Sequence, residues 1–150
     1  MNKTSSTTSN ARFLIFKLQD ALFALDLAQT AEVSDLMPLW PVPLAPPYYS
    51  GAINFHGNII AVMDLVLFLG LPGHSKPEKT IILHQSIASL AFLVDSVVRI
   101  VSAEETRLSA ITDAKFSTTT LSLPEGKALL LDLEVVVREA ELDLKKILLK

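Results

Sequence analysis

Cysteine is absent from the 150 residues, which removes disulfides and thiolate metal sites from the available chemistry. That absence fits a protein of the reducing cytoplasm. Long apolar runs are missing as well. The longest, Ile59–Met63 with Leu65–Leu71 and Ile87–Val94, are cut by Asp64 and Asp95, whereas a membrane helix needs roughly 20 apolar residues with few or no charges. The first residues, Met1 to Asn10, are rich in Ser and Thr and have no apolar core, so they do not read as a secretory signal. They read as a disordered tail over residues 1–11. Positive charge is sparse: 13 Lys and Arg stand against 16 Asp and Glu, for a net charge of −3. These basic residues are scattered, without the stripe that nucleic-acid binding requires. Neither a Gly-rich phosphate loop nor a Ser/His/Asp elbow occurs, and His74 and His84 lack ligand spacing. The expectation is no cofactor, no metal, no nucleic acid and no membrane insertion.

What the chain does have is apolar content. Half of its residues are hydrophobic, too many for a disordered regulator. A chain of this length buries roughly two-thirds of its unfolded surface, enough for one core over residues 12–150. Phe13–Leu18 and Leu22–Leu27 read as strands around the polar break Gln19-Asp20. A short helix or turn follows over Leu27–Val33, with Asp26 as its N-cap. Prolines 38, 41, 43, 46 and 47 make an extended connector. It carries the only tryptophan, Trp40, which is either a plug over the core or an exposed contact. The area a Trp normally buries favours the plug.

Tyr49–Phe55 and Asn58–Met63 flank His56-Gly57, a hairpin signal. Asp64–Gly70 reads as a helical turn ended by Gly70 and Pro72. Thr80–His84, Leu90–Val94 and Val97–Ser102 read as strands, as do Phe116–Leu123 and Lys127–Leu133 around the turn Pro124-Glu125-Gly126. The polar stretch Ala103–Lys115 is unassigned. Leu133, Val136, Val137, Ala140, Leu144 and Ile147 fall at helical spacing, so an amphipathic helix is expected from about Glu134 to Leu149. Its apolar side either packs on its own domain, the favoured reading, or offers Leu144, Ile147 and Leu148 to a partner. Four apolar runs end in Asp, at Asp26, Asp64, Asp95 and Asp132. Periodicity thus gives a mostly β domain, of small-barrel or sandwich type, with a terminal helix.

The stretch Gly51-Ala52-Ile53-Asn54-Phe55-His56-Gly57, followed by Asn58–Met63 and Asp64-Leu65, resembles the signature of the CheW family of chemotaxis coupling proteins. That signature is a Gly, two apolar residues, Asn-Leu-Arg-Gly, an apolar strand, then Asp-Leu. Phe13–Leu18 and Phe23–Leu27 resemble the family's first strands, Ala31-Glu32-Val33 its Glu followed by an aliphatic, and Pro43–Tyr48 its proline-spaced approach. Leu93–Val97 and Leu130–Glu134 resemble its later blocks, in order, over residues 12–137. The resemblance implies a mostly β fold of two small SH3-like five-stranded β-barrels packed together, with a C-terminal helix. It also implies an adaptor without catalysis or cofactor. Its implied partners are the regulatory domain of a CheA-type histidine kinase and the cytoplasmic tip of a chemoreceptor. Two departures stand out: the family's Arg is His56 here, and Thr118–Leu123 lacks a glycine the family often carries.

The candidate partner-binding residues are Thr30, Glu32, Asn54, His56 and Gly57. Each has a plainer reading. Gly51 and Gly57 serve the backbone of a hairpin, and Asn54 locks the turn with its amide. His56 is a solvated loop tip or a contact. Glu32 is an exposed carboxylate on a short helix, with Thr30 on the same face if the turn is extended. Two rival functions remain. A small-molecule-binding β-barrel sensor is allowed by composition. An aspartic hydrolase would use Asp64 and Asp95, but Val97 stands where the tight loop of such sites needs Gly, and capping of strand-end backbone donors is favoured.

Overall fold

The computed structural model describes residues 10–74 and 76–148. Among the described residues, eleven strands form two sheets. The first hairpin is β1 (Arg12–Leu18) and β2 (Ala21–Asp26), joined at Gln19-Asp20. A 3-10 turn, Leu27–Gln29, leads to β3 (Thr30–Asp35). After the proline connector come β4 (Tyr49–Phe55), β5 (Asn58–Asp64) and a single helical turn, α1 (Leu65–Phe68). Then follow β6 (Lys79–Leu83), β7 (Leu90–Val94) and β8 (Ser96–Ser102). The chain closes with β9 (Arg107–Ala110), β10 (Ser117–Leu123), β11 (Gly126–Leu131) and the helix α2 (Leu133–Leu148). Of the tail expected over residues 1–11, residues 1–9 lie outside the described residues; Ala11 is tied down, its carbonyl accepting from the Ala103 amide at 2.8 Å.

Both sheets use one plan. In the larger the order is β8-β1-β2-β11-β10-β9, in the smaller β3-β6-β7-β5-β4. With β8 set aside, each is an antiparallel hairpin (β1-β2, β4-β5) whose second strand pairs in parallel with a third (β11, β7). Two further antiparallel strands complete each unit. The chain begins in the larger sheet, builds the whole smaller sheet, and returns through Asp95. The fold is mostly β, two packed β domains with one C-terminal helix. It contains two strands beyond those read from the sequence: β3, where a short helix or turn was expected, and β9, which lies in the polar stretch 103–115. All four β9 residues are exposed, so no apolar alternation marks it, and pairing with β10 alone defines it.

Three apolar clusters hold the layers. Leu14, Phe16 and Leu18 of β1 join Met63, Ile81, Leu83 and Phe92 of the smaller sheet, and Leu133, Val136 and Ala140 of α2, in a central core between the sheets. Phe13 and Ile15 turn the other way, to Val101, Leu121 and Ala128. Ile53, Ile60, Val62, Ile82, Ala91 and Leu93 fill the outer side of the smaller sheet. β1 is therefore buried on both faces. This explains its imperfect alternation: a strand with core on both sides reads as a continuous apolar run.

The four terminal aspartates share a job. Asp26 accepts from Ala28 N at 3.0 Å, Asp64 from Leu67 N at 3.2 Å, and Asp95 from Gln19 N at 2.5 Å. Asp132 accepts from Glu134 N at 3.1 Å and Val135 N at 3.4 Å. Each satisfies a backbone donor left over where a strand stops, three of them at a helical start.

Candidate partner-binding face

The β4–β5 hairpin closes through a two-residue turn with φ of 51° at His56 and 83° at Gly57. Two positive φ values in sequence are the type I′ geometry that matches the twist of a hairpin. Asn54 fixes it: its Oδ1 accepts from the Gly57 amide at 2.9 Å. His56 is exposed at the tip, its ring 4.2 Å from that of Phe55 and tilted by 54°. Across from Asn54, Ile59 is 60% exposed. The tip thus presents an imidazole, an aromatic edge and an aliphatic side chain on a rigid turn.

Glu32 lies on the opposite edge of the same sheet. It sits on β3, a strand rather than the short helix expected, and its side chain is exposed. A β-bulge intervenes: Thr30 pairs with Leu83 and Glu32 with Ile82, leaving Ala31 extra. Such a bulge breaks the alternation of the strand. Thr30 and Glu32 consequently differ in exposure, the Thr30 hydroxyl being buried without a hydrogen-bond partner. Because β3 and β5 run in the same direction, Thr30 and the hairpin tip occupy one end of the sheet, on its two edges. Asn54, His56 and Gly57 are brought together; Glu32 stands apart, partway along the other edge.

Sequence reasoning missed the connector. Trp40 is 61% exposed and Leu44 84% exposed, with Leu36 and Val42 also open to solvent. Trp40 is no plug. Its main chain makes a bridge to Ala52, with hydrogen bonds of 2.9 and 2.8 Å in the two directions, which covers the free edge of β4. The space beneath is already filled by Met37, Ile53 and Phe55. Gly51 permits the approach: at φ 151°, a Cβ there would lie 2.6 Å from the Trp40 carbonyl oxygen. Leu44, at φ 63°, holds a left-handed conformation uncommon for a bulky residue. One signal could have found this surface. From Leu36 to Met63 the sequence has no Asp, Glu, Lys or Arg, so an exposed residue in that span is uncharged.

The connector ends on a tyrosine pair. Tyr48 donates to Asp143 of α2 at 2.6 Å and packs edge-on against Phe68, ring centroids 4.9 Å apart. Burial first, then the bond to Asp143, raises the Tyr48 hydroxyl above its ordinary range. Burial, followed by the charges of Asp143 and Glu141, pushes Tyr49 up to about 12. These are the chain's two tyrosines. An alkaline titration of the folded protein therefore shows no tyrosinate absorbance at the ordinary midpoint near 10; the first step comes at about 12. The unfolded chain ionises first, so this part of the stability is complete below pH ~10 and is lost as pH rises through about 12. A tyrosinate midpoint near 10 in the folded chain would contradict the packing.

Asp64 and Asp95 are each bound to a different backbone amide. An open groove of about 360 Å³ runs between the β6–β7 loop and α2, and one of about 480 Å³ beside the β1–β2 turn. Glu134, Arg138 and Glu141 line the first, and Lys17, Asp20, Glu125 and Lys127 the second. Both are open clefts lined by apolar as well as charged side chains, Ile87, Leu133 and Val137 in the first and Leu22, Val98 and Leu129 in the second, while the sheet interiors are filled with side chains. No helix among the described residues is long and apolar enough to cross a membrane.

Comparison with known proteins gives one consistent result. The family described as the CheW-like domain matches residues 12–141. A chemotaxis protein CheW of Rhizobium meliloti is 27% identical over 107 residues, 69% of each chain. A probable chemotaxis protein CheW of Rhizobium etli is 21% identical over 145 residues, 91% of this chain and 94% of the relative. Among solved structures, the scaffolding protein TtCheW of Thermoanaerobacter tengcongensis superposes with a TM-score of 0.69 at 23% identity. That match covers 82% of this chain and 89% of TtCheW.

Proposed function

Since the chain belongs to the CheW-like domain family over residues 12–141, we propose that it is a non-catalytic adaptor of chemotaxis-type signalling in the cytoplasm. In this reading it couples the cytoplasmic tip of a chemoreceptor to the regulatory domain of a CheA-type histidine kinase. The family match carries the reading, and the names of the relatives, chemotaxis proteins and a scaffolding protein, agree with it. The surface supports it: an exposed, uncharged strip from the connector to the hairpin tip is suited to docking on another protein, because covering it strands no charge.

Within this reading the candidates have different roles. His56 and Glu32 make contacts from the two edges of the smaller sheet. Asn54 and Gly57 hold the turn that presents His56, and Thr30 anchors the start of β3. The His at the tip, in place of the family's Arg, removes a fixed charge from the contact. The test is titration calorimetry against the regulatory domain of a CheA-type kinase and, separately, a receptor-tip fragment. Wild-type protein is expected to bind with roughly micromolar affinity, about −8 kcal/mol. The double variant Glu32→Lys, His56→Glu stays folded and binds at least one of the two about tenfold more weakly, a loss of ~1.4 kcal/mol. Unchanged affinity for both partners would move the contact face elsewhere.

A further inference from the structure

The first half of α2 is held by the core, through Leu133, Val136 and Ala140. Past Ala140, Leu144 is half-buried, the side chains of Ile147 and Leu148 lie outside the described residues, and Asp143 accepts from the Tyr48 hydroxyl at 2.6 Å. Asp143 reaches Tyr48 through Oδ2, while its Oδ1 lies 3.9 Å from Lys146. Tyr48 is the last residue of the connector before β4. Its carbonyl accepts from the Asp64 amide at 2.8 Å, and Asp64 in turn caps α1. Its ring leans on Phe68 of α1, which packs on Phe116 at 4.9 Å. One residue, through its side chain and its carbonyl, therefore joins the C-terminal helix to the connector, to the ends of β4 and β5, and to α1.

We infer that the outer half of α2 is a latch that positions the connector, with Tyr48 and Asp143 as its positioning residues. Pro38, Pro41, Pro43, Pro46 and Pro47 leave the connector few backbone donors of its own. Its fixed points include the Trp40–Ala52 bridge, the Tyr49 amide donating to Pro46 O at 3.0 Å, the Asp64 amide donating to Tyr48 O at 2.8 Å, and the Tyr48–Asp143 bond. The last of these reaches across to α2. A hydrogen bond to an ionised carboxylate is among the stronger single contacts available. Opening it frees the exposed strip around Trp40 while the two sheets stay packed by their buried clusters. The end of α2 thereby controls the rigidity of the surface assigned above to partner docking. The latch itself rests on the fold and is tested on the chain alone.

The experiment is residue-resolved amide hydrogen exchange on the free 150-residue chain, comparing wild type with Tyr48→Phe, Asp143→Ala and Leu142→Ala. Tyr48→Phe keeps the ring and its packing and loses only the hydroxyl. Leu142→Ala alters an exposed neighbour on the same helix and leaves the bond intact. Expected is about tenfold faster exchange at Trp40, Tyr49, Ala52 and Asp64 in both bond-breaking variants. Exchange in β6 and β7 stays unchanged, as does all exchange in Leu142→Ala outside α2. Unchanged exchange at the four connector and sheet amides in Tyr48→Phe would overturn the latch. So would an equal acceleration in Leu142→Ala, since fraying of the helix would then suffice.

Discussion

Alanine at Gly51 lowers the stability of the folded chain by about 3 kcal/mol, although it adds a single methyl group. Two costs coincide there. The backbone sits at φ 151°, which side chains with a Cβ rarely adopt, and the new Cβ would lie 2.6 Å from the carbonyl oxygen of Trp40 and 3.1 Å from the Leu39 Cβ. Neither obstacle is a flexible side-chain end that can swing away. The connector must therefore lift off β4, and the Trp40–Ala52 bridge opens. Gly57 is the matched comparison: its φ is 83°, but nothing lies within 4 Å of a built Cβ. Gly57→Ala carries backbone strain alone, about 1 kcal/mol. Urea unfolding of both variants, followed by far-UV circular dichroism, separates close approach from strain. Trp40 fluorescence reports directly on the connector, since the chain has one tryptophan. Equal losses at the two glycines would mean that the connector does not lie against β4.

Phe16→Ala costs about 4 kcal/mol. Phe16 is fully buried, stacks on Phe23 at 5.9 Å, and belongs to the cluster both sheets share. Little can collapse into the space it leaves, because the strands on either side are held by hydrogen-bonded neighbours. The loss falls on both sheets together. Far-UV circular dichroism and Trp40 fluorescence should therefore move to the same lower urea midpoint, one cooperative transition. Two separated transitions would mean that the sheets are held by their outer clusters and that the central core contributes little between them.

The strands were legible where burial imposes a pattern and illegible where it does not. The β4–β5 hairpin could be read because His56-Gly57 is a turn chemistry between two apolar runs, and the positive φ at both residues is what that chemistry provides. The helix could be read from Leu133, Val136 and Ala140, which face the core at helical spacing. The capping role of the aspartates followed from their place at the ends of apolar runs. By contrast β9 has no buried residue and so no alternation. Glu32 was misplaced onto a helix because the 3-10 turn ends at Gln29, and the bulge at Ala31 blurs the alternation that would mark a strand. Trp40 was misread because its area argues for burial, whereas its position is decided by a backbone bridge to Ala52 that composition does not encode. The pairing of Tyr48 with Asp143 spans 95 residues of sequence, and no local pattern announces a contact at that separation.

The central claim is coupling, which requires two partners at once. The direct measurement is sedimentation velocity of the purified chain mixed with a receptor-tip fragment and the regulatory domain of a CheA-type kinase, each also run in pairs. The account predicts a ternary species that forms only when this chain is present, and that Glu32→Lys, His56→Glu diminishes. Mutually exclusive binding of the two partners, or binding of neither, would contradict it.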